Sequence, residues 1–448
     1  QFVHGHLLKP GDVARTPWRL RCAQPPYDAL PIPRADIPAG IVLSREADAW
    51  IREEDVEDLA LPLYEGRMIG QFDFSQKGWV SGKGRSAVWR DIPWERKVLE
   101  PQYLMALSTC AERDVLGPKL PTMNISSATN SRTLISALAM DLPCNHALNP
   151  MRISRRLDLA LLSLVLNSFV IDWQVRMRLT GLNLSFFVLD ETAVPRPNVR
   201  LRSQLAGLGR SLSLASSWFS SIWLEAGSSQ SGGLPLKSLW ATSANHRLQR
   251  MAMADAVVSL LCDLEQADLA VLLAACDRPT SNSWDGLNPK GFWRVDKEKY
   301  PELRHTVLTL VAFRDLEEKI RKCGGDRDSG IEAFLDQNEG EGWMLPETLR
   351  LADYSLGHDN RAQHPQPVAR QLGPRFHDWQ LAQTTEESWR ECHLHARNLL
   401  GEQAYRELLE DIATRERRKE PQSDAGELPW RGDTPRSLLD SGSQGRLW

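Results

Sequence analysis

Arg155–Pro197 reads RRLDLALLSLVLNSFVIDWQVRMRLTGLNLSFFVLDETAVPRP, and the rest of the chain is organised around it. From Leu157 to Leu179 apolar residues recur at three- and four-residue spacing, which predicts one helix, with Gly181 as its C-cap. The apolar part, Leu159 to Ile171, is shorter than a bilayer requires, and Asp158, Asn167, Asp172, Arg176 and Arg178 interrupt or flank it. A buried core helix is expected, not a membrane span. Beyond Gly181, LNLSFFVL alternates as a strand does, and Pro195-Arg196-Pro197 ends it because proline cannot donate to a ladder. Helix, glycine, strand and Pro-x-Pro exit together read as an anchoring unit, without chemistry of its own.

Outward from this unit, two further stretches carry polar residues in suggestive places. Leu61–Arg90, LPLYEGRMIGQFDFSQKGWVSGKGRSAVWR, sets Tyr64, Met68, Ile69, Phe72 and Phe74 as apolar anchors among Arg67, Gln71, Lys77, Lys83 and Arg85. Glycine-rich backbone approaches a phosphate closely, Lys and Arg neutralise it, and Gln or Arg makes bidentate contacts to base edges. The plainer reading of the same residues is a strand and hairpin with ordinary surface charge. In ISSATNSRTLISALA, Thr129 or Asn130 would N-cap a helix over 131–139, placing Arg132 and Thr133 in its first turn. Free N–H groups and the helix dipole make such a terminus a phosphate site; a capped helix with a solvated arginine is the alternative.

These stretches resemble a known family. Leu166 to Pro197 is similar to the end of the target-recognition region of Eco57I-like adenine-specific DNA methyltransferases, found in type IIG restriction-modification and phage-defence systems, and more loosely to type I specificity subunits. Pro62–Asp73 resembles the family's Pro-Leu-Tyr-Glu-Gly-Lys-Met-Ile-x-Gln-Phe-Asp motif. Arg67 replaces its Lys, and Phe74-Ser75 replaces the His-Arg that commonly follows. Ala128, Thr129, Asn130, Arg132 and Thr133 match the family's ATNxRT stretch, and Asp255-Ala256 resembles the pair that opens its later helices. The resemblance implies an α+β target-recognition domain followed by a mainly helical region. It implies double-stranded DNA as partner, gripped through Arg67, Gln71, Lys77, Lys83, Arg85, Asn130, Arg132 and Thr133. It also implies S-adenosylmethionine as cofactor of the parent enzyme, held by an N-terminal methyltransferase half or a separate catalytic subunit. The rival expectations are a stand-alone specificity subunit and a structural protein-interaction module.

No catalytic residue is assigned to this chain. Gln24-Pro25-Pro26-Tyr27 looks like the Asn-Pro-Pro-Tyr loop of amino-methyltransferases, but Gln is one methylene too long to hold the target amino group. It reads as a proline-rich connecting loop. Opening on Gln1, the chain reads as a piece of a longer polypeptide.

The remaining expectations are coarser. The length suits several domains: a Pro-rich connector with an acidic helix in residues 1–60 (from Ser44 to Asp58), target recognition over 61–226, helices over 234–420, and a disordered tail over 421–448. GSSQSGG, Gly227–Gly233, is the expected domain boundary. A net charge of −4 argues against a globally basic nucleic-acid binder. Leu61–Pro235 nonetheless holds nineteen Lys and Arg against thirteen Asp and Glu. Seven scattered cysteines without CxxC spacing point to a reducing cytoplasm and no zinc ribbon. Cys392 and His395, Glu317 with Lys319, and Asp353, His358, Asp359 and His364 could be drawn as metal or acid–base groups; all read more simply as polar surface. No metal site is expected. His246–Asp277 reads as a helical hairpin broken near 263–268, Pro301 onward as a helix, and Glu386–Lys419 as a final helix.

Overall fold

The computed structural model describes residues 61–112, 117–139, 142–152, 156–227, 233–274, 291–354 and 364–418, with short strand segments among the first 60. Gln24–Tyr27, His358, Asp359 and the 421–448 tail lie outside the described residues. The strands, in two-stranded antiparallel ladders, are β1 (Arg21–Cys22), β2 (Ile41–Leu43), β3 (Trp50–Arg52), β4 (Val56–Asp58), β5 (Ala60–Pro62), β6 (Lys77–Ser81), β7 (Val88–Asp91), β8 (Leu104–Ala106), β9 (Lys119–Met123), β10 (Leu148–Arg152), β11 (Thr348–Leu349) and β12 (Gln366–Pro367). They pair β1 with β4, β2 with β3, β5 with β8, β6 with β7, β9 with β10, and β11 with β12. The expected acidic helix at 44–58 is corrected: its described residues are strands, Trp50–Arg52 on Ile41–Leu43 and Val56–Asp58 on Arg21–Cys22. Pairing with a partner strand outweighs the helix propensity of a Glu-rich segment.

The helices are α1 (Leu107–Glu112), α2 (Arg156–Leu166), α3 (Phe169–Arg178), α4 (Phe186–Asp190), α5 (Val199–Ser213), α6 (Ser220–Ala226), α7 (Ala244–Leu261), α8 (Gln266–Ala274), α9 (His305–Lys322), α10 (Arg327–Asp336), α11 (Val368–Gln371), α12 (Thr385–Leu400) and α13 (Glu402–Arg418). The architecture is mixed α+β, as the sequence leads one to expect. The hairpin of α7 and α8 and the helix after Pro301 also appear. The final helix is two, because Gly401 at φ 81° turns the chain between α12 and α13.

The anchoring unit differs from its expectation in three ways. Its helix is broken: α2 and α3 meet at a 68° bend. Ser168 leaves the helical region at φ −74°, ψ 157°, and its hydroxyl accepts from the Ile171 N–H, so α3 starts afresh with its own N-cap. Gly181 caps nothing, since α3 ends on Leu179, whose N–H donates to the Val175 carbonyl. The segment expected as a strand forms only one bridge, Ile125 with Asn183, then turns into α4. Consecutive Val188 and Leu189 are buried while Phe186 and Phe187 are exposed, a pattern one helix face can satisfy and a strand cannot. No single described helix is long and apolar enough to cross a membrane.

One hydrophobic core runs from Leu61 to Ala396. It passes across the Gly/Ser run at 227–233: Ala241 N–H donates to the Ser211 carbonyl, and Arg247 Nη1 donates to Leu212 and Ala241. Helices from both sides of that run share one interior. At its C-terminal edge Lys237 Nζ meets Glu391 at 2.8 Å, and Gln383 and His395 also reach that carboxylate. Burial works to raise Glu391, but hydrogen bonds from Lys237, Gln383 and His395 hold it down at about 2. A depressed carboxylate stabilises the fold above its ordinary value of 4.5 and loses that contribution as pH falls toward about 2. Between these two pH values the melting temperature of the native chain is therefore expected to fall further than that of Glu391→Gln.

Candidate nucleic-acid interface

The Pro62–Asp73 motif divides into an inward and an outward set. Tyr64, Met68, Ile69, Phe72 and Phe74 are fully or almost fully buried, while Arg67, on the short 3-10 turn Gly66–Met68, is exposed. Asp73 is also buried: its carboxylate takes Lys97 Nζ at 2.6 Å and the Ser75 N–H at 3.0 Å. Lys97 stands 4.1 Å from the Trp94 ring centre, and Arg247 stands 3.8 Å from the same centre. Burial lowers the Lys97 pKa against the pull of Asp73. The motif is thus a folding unit with one cation left outside.

Gln71 points inward. Its Nε2 donates to the Asn167 carbonyl at 2.7 Å, and Arg132 Nη2 donates to the same oxygen. That oxygen sits at the break between α2 and α3, where helix carbonyls lack intrahelical partners. The Asn167 side chain completes the junction by accepting from Ser136 N–H at 3.1 Å and donating to the Ser136 carbonyl at 3.0 Å. One turn on, Asp172 is wholly buried between two arginines, with Arg132 Nε at 3.3 Å and Arg176 Nη2 at 3.4 Å. Its Oδ2 accepts the backbone N–H groups of Thr133 at 2.9 Å and Leu134 at 3.0 Å. Burial raises the Asp172 pKa, opposed by both guanidinium groups and both amides. Phe169 lies 4.8 Å from the Arg132 guanidinium, and Phe292 lies 4.2 Å from that of Arg176.

The helix expected at 131–139 does not form. Ser136 bridges Thr122 and Ala139 bridges Lys119, so the segment runs extended beside β9. Buried Leu134, Ala137, Leu138 and Ala139, together with amides given to Asp172, hold it there. Asn130 is exposed, but its carbonyl accepts from Arg176 Nη2 at 3.0 Å. Arg132 and Thr133 are only 7% and 0% exposed, so the phosphate contact expected of an N-terminal turn has no surface to be made from.

The outward charge is concentrated on the β6–β7 hairpin. Its tip carries Lys83 and Arg85, both exposed and neither within 4.0 Å of a carboxylate among the described residues. The tip is braced: Trp79 Nε1 and Gln102 Nε2 donate to the Gly82 carbonyl at 3.0 and 3.2 Å, and Ser86 Oγ donates to the Lys83 carbonyl at 2.9 Å. Gly82 is required, because at φ 79° a Cβ would lie 2.3 Å from the Ser86 carbonyl oxygen. Lower on the hairpin Lys77 pairs with Asp91 at 3.5 Å and Arg90 pairs with Glu100. A register shift at Val80 bends β6, and Val80 and Val88 are exposed beside the tip.

Of the eight expected contacts, Arg67, Lys83, Arg85 and Asn130 are therefore exposed and Lys77 is half-exposed. Gln71, Arg132 and Thr133 belong to the interior. The sequence draws attention to Arg176 and Asp255 but not to their roles. Asp255 Oδ1 accepts the Phe169 N–H at 2.6 Å at the start of α3, and Oδ2 meets His305 Nε2 at 2.8 Å. A carboxylate there meets both an orphan amide and the positive end of the helix. No local pattern could have found this clamp, since its members come from three separate segments. Three of the other polar groups have protein partners: Cys392 is buried and donates to the Ser220 carbonyl, His395 meets Glu391, and Asp353 pairs with Arg350. Among the described residues no three His, Cys, Asp or Glu converge as a metal site.

Comparison with protein-family models, with curated proteins and with solved structures finds no match to this chain.

Proposed function

We propose that this chain provides DNA target recognition for a site-specific adenine-N6 DNA methyltransferase of a restriction-modification or phage-defence system. The catalytic half and its S-adenosylmethionine would belong to a linked or separate partner in a reducing cytoplasm. The observation that carries the reading is the braced β6–β7 tip, which presents Lys83 and Arg85 without neighbouring carboxylates. Cations held on a rigid projection can neutralise phosphates at small entropic cost, and an exposed Val80–Val88 pair can pack in a groove. Arg67, Lys77 and Asn130 would add contacts, whereas Gln71, Arg132 and Thr133 would act through the scaffold they hold.

Fluorescence anisotropy with a labelled duplex of about 25 base pairs tests this. Affinity is expected to fall steeply with salt, and Lys83→Ala/Arg85→Ala is expected to flatten the log–log salt slope by about 1.8, two phosphates' worth. No binding at about 50 mM salt would remove DNA from the account, and an unchanged slope would remove the hairpin tip from the DNA surface. A second reading, a protein-interaction module, draws on Met177, Leu182, Phe186 and Phe187, all exposed near the end of α3 and in α4. It predicts no DNA binding at any salt.

A further inference from the structure

Away from the basic hairpin, a cavity of about 320 Å³ lies among α5, α6, α7, α10 and α12. That volume is at the lower end of the range for small-molecule sites. Its apolar lining includes Trp223 and Trp389, 5% and 8% exposed. Both rings are pinned: Trp223 Nε1 donates to the Leu214 carbonyl at 2.9 Å, and Trp389 Nε1 donates to the Leu234 carbonyl at 3.2 Å. The walls are thus preformed, and a flat ligand would meet fixed aromatic surface.

The polar lining is cationic. Arg210 and Arg250 both face this cavity, against one carboxylate, Asp336. Asp336 already accepts Gln204 Nε2 at 2.9 Å. Arg250 donates its Nε to His246 Nε2 at 3.0 Å. Burial, reinforced by Arg250 and Arg375, keeps His246 well below the ordinary imidazole pKa, so it serves as a neutral acceptor and returns no charge. Among the described residues no carboxylate lies within 4.0 Å of the Arg250 guanidinium, and the nearby Glu341 is taken by Arg375. Burial brings Arg250 down to about 10. A desolvated guanidinium is satisfied by a planar anion that accepts two parallel hydrogen bonds.

We propose that this cavity binds a small organic anion, a carboxylate or phosphate monoester on a flat apolar body, with its charge on Arg250 and its ring against Trp223 and Trp389. The site is separate from the DNA reading and does not depend on it. Gly207 offers a clean way to close it. Gly207 lines the cavity, and a Cβ there would meet nothing closer than Arg210 Nη2 at 3.7 Å. Gly207→Leu therefore fills the space while improving a helical position.

Calorimetric titration of the full chain with phenyl phosphate, benzoate and inorganic phosphate decides the matter. At least one aromatic anion is expected to saturate with Kd below about 1 mM, and inorganic phosphate to bind at least about tenfold more weakly. Whichever aromatic anion binds tighter identifies the charged group. Gly207→Leu, with unchanged circular dichroism and an equal or higher melting temperature, is expected to lose at least about tenfold in affinity, as is Arg250→Gln. The proposal is overturned if neither aromatic anion saturates by about 10 mM. It is equally overturned if inorganic phosphate binds as well as phenyl phosphate, or if both variants bind like the native chain.

Discussion

Asp172→Ala is expected to destabilise the fold by about 3–5 kcal/mol, because it strands two buried arginines without their shared counter-ion. Arg132 and Arg176 are 7% and 4% exposed, so neither can turn to water without opening the core around Phe169 and Phe292. The same change leaves the Thr133 and Leu134 amides without the oxygen they now share. Urea unfolding measures the loss directly, and a midpoint close to that of the native chain would mean the network carries little. A triple change, Asp172→Leu with Arg132→Met and Arg176→Met, separates charge from packing. Removing all three charges should recover much of the stability lost by Asp172→Ala, since a buried ion cluster is costly to break and far less costly to replace. If the triple variant is the least stable of all, Thr133, Asn130 and Ser131 matter more as acceptors from Arg176 than Asp172 does as its counter-ion.

Gly209→Val should cost about 3 kcal/mol or more. Gly209 is where α5 crosses α2: a Cβ there would lie 2.2 Å from the Ala160 carbonyl oxygen and 2.8 Å from its carbon. Those are backbone atoms of a helix and cannot swing aside as a side-chain end could. Valine gains little helix propensity over glycine, so the clash decides the sign. Two residues earlier the same helix provides the control. Gly207→Ala meets only Arg210 Nη2, at 3.7 Å, and should stabilise by about 0.5–1 kcal/mol through helix propensity alone. Thermal unfolding of the two variants should move in opposite directions. Loss of stability in both would place the constraint in the helix itself and not in its crossing with α2.

The contrast between these glycines shows where reading the chain stops. Both sit in one amphipathic helix with similar neighbours in sequence, and nothing local separates them. The helices α7, α8 and α9 fall where the apolar spacing predicts helix, although α7 is buried on every face over residues 252–260. The same logic fails at Asn167-Ser168, where the apolar repeat continues through a break. Only the Ser168 hydroxyl marks the new start, and a lone serine within an apolar run is a weak signal of a cap. Phe186–Asp190 fails differently, since four apolar residues in a five-residue span suit either period until their partners are known.

The basic hairpin was legible as charge. Lys83 and Arg85 in a Gly-Lys-Gly-Arg-Ser tip are exposed because nothing in that composition can be buried. Arg132, Thr133 and Gln71 were not legible, and the reason is electrostatic. A charged or amide side chain enters a core only when its partners are already there. Those partners, Asn167 and Asp172, arrive from 35 to 96 residues away. Composition and periodicity alone thus specify a buried anchoring segment and an exposed basic tip, because these depend on which residues avoid water. Which polar residues face inward, and that one core spans the Gly/Ser run, was decided by tertiary packing, because burying a charge is favourable only beside a counter-charge brought in by the fold.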